Sequence, residues 1–244
     1  MKLGILAAMP EEITSILGAL EQSYQTEVGL RTYHFGKLRG AECVLAHSRI
    51  GKVAAASTAT QLVDRFEVDR LLFTGLAGGV GHGIQRGDIV IGTELIQHDL
   101  DASPLFPRHE VPLLGIQRFV TDAQMNAALL NSARAIAGTK NRSVHSGLIA
   151  TGDQFFSSSD AVMELRKLLP EALCVEMEGA AVAQVCHEHG IPFSIIRTIS
   201  DSADETAAED FPNFLKTVAG PYALAVVEGF LRQLGAPPLL HDRK

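Results

Sequence analysis

Clustered positive charge is missing from this sequence of 244 residues. No Lys/Arg run is longer than two, and 28 acidic against 21 basic side chains leave a formal net charge of −7. That argues against a nucleic-acid surface, whose affinity would rest on grouped cations. Cysteine is scarce. Cys43, Cys174 and Cys186 are odd in number and lack C-x-x-C spacing. Two lie in apolar stretches, so buried free thiols in a reducing compartment are expected. None sits beside an evident activating base, which argues against a thiol nucleophile. Long apolar runs are also absent, and no segment suffices to span a bilayer. The apolar run Leu3 to Met9 ends in Pro10-Glu11-Glu12 with no small-residue cleavage site. It reads as a buried first strand entering a helix rather than as a signal peptide. Internal repeats and low-complexity tracts are missing too. A soluble, cytoplasmic protein is expected.

What is present is ordinary globular material, 46% hydrophobic and 20% charged, enough for one large α/β domain. Residues 3–8, 43–48, 70–75, 88–93, 145–150 and 192–199 are short, continuous apolar runs, the pattern of strands buried on both faces. Helical patterns lie between them near 11–20, 52–66, 121–137, 159–168 and 178–189. This alternation predicts a single-domain, three-layer α/β/α sandwich around a central mixed, mostly parallel twisted sheet. Residues 31–37 alternate like a strand at the sheet edge. An apolar stripe from Phe211 to Leu234 predicts a closing helix, with a kink or two abutting helices at Gly220-Pro221. The domain spans 1–234, and the tail 235–244 is expected to be loose. Residues 98–118 carry three prolines and read as a long loop of the kind that often has a function.

Catalytic groups on such a sheet gather at the carboxyl ends of strands. The segments falling there are Pro10-Glu11-Glu12, Ser48 to Lys52, Thr74 to Gly79, Thr151 to Phe156 and Ser200 to Asp204; Val175-Glu176-Met177-Glu178 precedes a helix. Each has a plain structural alternative. Pro-Glu-Glu suits any helix start, a Gly-rich turn is weak evidence, and Asp201 could be an N-cap. His98, Asp99 and Asp101 could suggest a metal, although a hydrogen-bonded loop explains them better. The combination says more. Cleaving a purine glycosidic bond needs a general acid for the leaving base. It also needs a carboxylate to position water, and acceptors for ribose hydroxyls. Separated carboxylates with an aromatic face for the purine meet those needs without a metal or other cofactor.

Six segments in order carry a resemblance. They are Gly4 to Glu12, Ser48-x-Ile50-Gly51-Lys52-Val53, Gly75-x-Ala77-Gly78, Thr151-Gly152-Asp153-x-Phe155, Val175-Glu176-Met177-Glu178 and Arg197-x-Ile199-Ser200-Asp201. The chain resembles the 5′-methylthioadenosine/S-adenosylhomocysteine nucleosidases of the purine nucleoside phosphorylase-like superfamily, from Met1 to about Leu234. The resemblance implies that Glu12 positions and activates water, helped by Arg197. It implies that Asp201, with Ser200 beside it, protonates N7 of adenine. Glu178 would hold ribose hydroxyls near the backbone of Met177. Phe155 would stack on the base, and the backbone of Phe156 would read its edge. Met9, Ile50 and Phe211 would line the ribose and 5′-thio region, while Leu76, Gly78 and Glu176 complete the substrate-binding set. It further implies a homodimer, with loop 98–118 capping the neighbouring subunit's 5′-substituent site through Phe106 and Pro112. Many relatives carry Ser where this chain has Leu76. Leu or Val there resembles the subgroup that also hydrolyses 6-amino-6-deoxyfutalosine.

Two rival readings remain open. A nucleoside phosphorylase needs a phosphate cradle, but the places of its Arg and Ser hold Phe73 and Leu76. An apolar residue there would strand a dianion at a cost of several kcal/mol. Phosphate dependence of base release discriminates. A non-catalytic nucleoside sensor would tolerate loss of the acid or the water-positioning group, yet Glu12, Glu178 and Asp201 are all kept.

Overall fold

The computed structural model describes residues 1–139 and 141–234; the tail expected at 235–244 lies outside them. Among the described residues the strands are β1 (Lys2–Ala7), β2 (Glu21–Val28), β3 (Arg31–Leu38), β4 (Ala41–His47), β5 (Arg70–Gly79), β6 (Ile89–Gln97), β7 (Arg118–Val120), β8 (Val144–Thr151), β9 (Ala172–Glu176) and β10 (Phe193–Asp201). The helices are α1 (Pro10–Gly18), α2 (Lys52–Thr60), α3 (Ala123–Thr139), α4 (Ser159–Leu168), α5 (Gly179–His189), α6 (Ala207–Phe214) and α7 (Gly220–Leu234).

The strands form one sheet in the order β10-β6-β8-β9-β5-β1-β4-β3-β2, and β10 also pairs with β5. Five strands therefore close into a ring, from which β1, β4, β3 and β2 extend as a flange. Parallel pairings join β1 to β4 and β5, β5 to β10, and β8 to β6 and β9. β5 makes the closure. It pairs with β1 through Arg70 to Phe73, then reaches β9 through Gly78 and Gly79.

The apolar strands are buried on both faces, which explains their continuous hydrophobicity. Leu3 and Ile5 of β1 pack with Ile16 of α1, Met125 and Leu129 of α3, and Val226 and Phe230 of α7. Leu6 packs on the opposite side with Ala55 and Ala59 of α2 and Ala180 to Ala183 of α5. Each such leucine or isoleucine contributes about 1.5–3 kcal/mol by leaving water. The result is the expected three-layer sandwich. All three cysteines are free and buried. Burial pushes the Cys43 thiol up to about 11, and the other two are raised as well. No helix among the described residues is long and apolar enough to cross a membrane.

Two differences from the sequence reading have physical reasons. The edge strand is β2, not β3, because Glu21 to Glu27 are all exposed and carry no apolar alternation. β9 is only five residues long, too short for a periodicity of its own. The closing stripe is, as expected, two abutting helices: α6 runs into α7 through a wider π turn over Leu215–Ala219, and α7 begins at Gly220-Pro221.

Candidate active site

The carboxyl ends of β1, β4, β5, β8, β9 and β10 converge on one pocket. Its walls include Met9, Glu12, Ile50, Leu76, Gly78, Phe155, Phe156, Glu176, Met177, Glu178, Ser200, Asp201 and Phe211. Pro10 starts α1, which places Glu12 in its first turn. The Glu12 side chain folds back over the helix start. Its Oε2 accepts from the amides of Ala8 and Met9, and its Oε1 from that of Leu76, all at 2.9 Å. A carboxylate that only balanced the helix dipole would not be gripped by a strand 64 positions away. Burial raises its pKa, and the nearby Arg197 charge and these amides act against that rise.

Gly75 is what allows the approach. A Cβ there would lie 2.8 Å from Arg197 Nη1 and 2.9 Å from Glu12 Oε1. Arg197 on β10 is 1% exposed, lies 4.0 Å from the centre of the Phe73 ring, and pairs with Glu176 through Nη2. Its Nε and Nη1 have no hydrogen-bond partner.

Glu176 ends β9 and serves the neighbouring helix start. Its carboxylate accepts from the amides of Glu178 and Gly179, the Thr151 hydroxyl and Arg197. Glu178, at the N-cap of α5, accepts from the Gly51 amide at 2.8 Å. Burial, with Glu176 adding repulsion, pushes the Glu178 carboxyl up to about 8.

Asp201 sits where the β10–β5 register slips after Ile199 and is paired with Gly78. Such a bulge redirects side chains at a strand end. Asp201 Oδ2 accepts from the Ser200 hydroxyl at 2.6 Å, and Oδ1 from the Ala203 amide at 2.8 Å. Burial raises its pKa. Glu12, Glu178 and Asp201 are exposed by only 4%, 6% and 3%. Carboxyls this buried, several in one pocket, favour protons on some of them before any ligand arrives.

A family model of the phosphorylase superfamily matches residues 2–232. The chain is 36% identical to the 5′-methylthioadenosine/S-adenosylhomocysteine nucleosidase of Actinobacillus succinogenes, covering 96% of this chain and 100% of that one. It is 38% identical to the protein of the same name from Chromohalobacter salexigens, covering 96% and 98%. Among solved structures, it is similar to the nucleosidase from Neisseria meningitidis in complex with methylthio-immucillin-A. That match has a TM-score of 0.89 and 39% identity, over 95% of this chain and 98% of that one. The Colwellia psychrerythraea nucleosidase in complex with adenine aligns with a TM-score of 0.90 and 35% identity, over 96% of each chain. This chain belongs to the 5′-methylthioadenosine/S-adenosylhomocysteine nucleosidases.

In this nucleosidase, most residues singled out from the sequence meet at the pocket, and three do not. Arg197 stands behind the wall, held by Glu176. Phe106 and Pro112 are not part of the wall of their own chain's pocket. Sequence reasoning did not single out Ala8, Ala77, Gln154 and Val175, which also line it; each adjoins a named residue in the recognised segments. No group of three or more His, Cys, Asp or Glu among the described residues is arranged to hold a metal ion. Asp99 instead accepts from Lys52 Nζ at 2.7 Å, and Asp101 from the Ser103 amide and hydroxyl.

Proposed function

We propose that this nucleosidase hydrolyses the N-glycosidic bond of 5′-methylthioadenosine and S-adenosylhomocysteine, releasing adenine and the 5-thio-substituted ribose. The observation that carries this reading is a buried pocket wall bearing Glu12, Glu178 and Asp201 but no Lys, Arg or His among the described residues. Phosphate arriving as a second substrate would find no cation on that wall, and Arg197, behind it, is paired with Glu176 through Nη2. Water carries no such charge.

Asp201, whose pKa burial raises, donates its proton to N7 as the base departs. Glu12 orients the water with its carboxylate, and the Arg197 charge nearby favours the ionised form it needs. Glu178 accepts from ribose hydroxyls. Phe155, 46% exposed at the mouth and edge-on to Phe211 at 6.0 Å, offers its face to the purine. The backbone of Phe156 reads the base edge. Met9, Ile50 and Phe211 surround the ribose and 5′-thio group. Leu76, packed among Phe214, Leu215 and Met9, stands where many relatives carry Ser, and its likeness to the subgroup acting on 6-amino-6-deoxyfutalosine extends the reading to that nucleoside; 5′-deoxyadenosine is included as a further adenine nucleoside.

The same reading makes the protein a homodimer in which loop 98–118 of one subunit caps the other's 5′-subsite through Phe106 and Pro112. Leu105 and Leu113 on that loop are 84% and 93% exposed, apolar area that a neighbouring subunit would cover. Rates of base release from these adenine nucleosides, compared side by side with inosine, test the assignment. Adenine release from 5′-methylthioadenosine with poor turnover of inosine is expected. Binding without release would replace the enzyme by a nucleoside sensor.

A further inference from the structure

Gly51 and Lys52 open α2, and each of their amides holds a carboxylate from a distant part of the chain. The Gly51 amide donates to Glu178 at 2.8 Å, and the Lys52 amide donates to Asp153 Oδ1 at 2.8 Å. Asp153 is itself held, because its amide donates to Asp99 Oδ2 at 2.9 Å. Asp99 Oδ1 in turn accepts from Lys52 Nζ at 2.7 Å, so the contacts close into a ring. Gly51 adopts φ +100°, and a Cβ there would lie 3.1 Å from Asp153 Oδ1. The turn needs glycine both for its dihedral and for room beside Asp153.

None of Lys52, Asp99 and Asp153 lines the pocket. Partly exposed ion pairs add little stability on their own, so what this ring supplies is geometry. The first amides of a helix have no partner within it and take their direction from whatever binds them. Asp153 holds the Gly51–Lys52 peptide through the Lys52 N–H, beside the helical bond from the Ala55 amide to the Gly51 carbonyl at 3.0 Å. With that side of Gly51 held, only its own dihedrals aim the preceding Ile50–Gly51 peptide, whose N–H donates to Glu178.

We propose that Asp153, with Asp99 and Lys52, is a positioning residue for ribose binding, acting through the Gly51 amide on Glu178. Without it Glu178 loses that backbone donor and settles among Glu176, Arg197 and Glu12, the charged groups that face it. Small misplacements of a binding group weigh heavily on rate. The inference rests on the reading of Glu178 as the ribose acceptor.

The test compares kcat/KM of the wild type, Asp153→Ala and Asp153→Asn on 5′-methylthioadenosine and on its 2′,3′-dideoxy analogue. Asp153→Ala is expected to lower kcat/KM about tenfold on the riboside but less than about twofold on the analogue, on the scale of one charge-assisted hydrogen bond. Asp153→Asn, whose Oδ1 still accepts from the Lys52 amide, is expected to restore most of the loss. Equal losses on both substrates, or no loss on the riboside, overturn the proposal. If Asp153→Ala does not fold, Asp99→Ala carries the same comparison, because it removes the acceptor that holds the Asp153 amide. A wild type with no preference for the riboside over its analogue contradicts the role of Glu178 itself, a failure distinct from that of Asp153.

Discussion

At the scale of single residues the site is governed by burial acting on acids that occupy different hydrogen-bond environments. Asp201 works only while protonated, and burial raises its pKa. Activity therefore falls as pH rises through that value. Glu12 works only while ionised, so activity also falls as pH drops through its own raised value. A bell-shaped dependence of kcat/KM follows; a flat profile from about pH 5 to 9 contradicts the assignment. Replacing Asp201 by Asn is expected to lower kcat roughly a hundredfold or more, the scale of general-acid catalysis, and a near-wild-type kcat removes it from the mechanism.

Glu178 gives a stability prediction of the same kind. Its carboxyl is pushed from an ordinary 4.5 to about 8 in the folded protein, so the folded state binds the extra proton. That stabilising contribution is fully present below the ordinary value, shrinks as pH rises between the two values and is gone above about 8. Melting temperature measured against pH for the ligand-free protein should fall more steeply between about 4.5 and 8 in the wild type than in Glu178→Gln. Parallel curves argue against a buried proton there. Glu12, Asp201 and Glu178 were legible because each lies in a recognised segment at a strand end. The commitment of Glu176 to Arg197 and Thr151 was not, because those partners come from strands β10 and β8, which only the closed sheet brings together.

At the scale of elements, legibility followed hydrophobic pattern. Strands buried on both faces announced themselves. β2, polar along nearly its whole length, did not, and neither did β9, which owes its pairing to neighbours rather than to length. The ring closure was invisible too, since it depends on β5 leaving β1 for β9 at glycines that read equally well as a tight turn. The crossing of α1 and α7 is set by Gly220, where a Cβ would lie 2.9 Å from both the Glu11 carbonyl oxygen and the Ser15 hydroxyl. The carbonyl is backbone and cannot swing aside. Gly220→Ala is therefore expected to destabilise the fold by about 1–3 kcal/mol, the usual range for overpacking. An unchanged denaturant midpoint contradicts so close a crossing.

At the scale of the whole molecule, the pocket opens beside apolar side chains that a single subunit leaves uncovered. Ile50 on its wall and Val53 at the start of α2 are 53% and 82% exposed, and Leu105 and Leu113 on the long loop are more so. Sedimentation equilibrium should give twice the 26.2 kDa chain mass, and Leu113→Glu should shift it toward monomer while raising KM. A monomeric wild type with full activity contradicts capping by a neighbour. The most direct test of the central claim, that an acidic pocket without a wall cation uses water, is adenine release from 5′-methylthioadenosine with and without inorganic phosphate. The account predicts equal rates and a free sugar as product; release that depends on phosphate and yields a sugar 1-phosphate contradicts it.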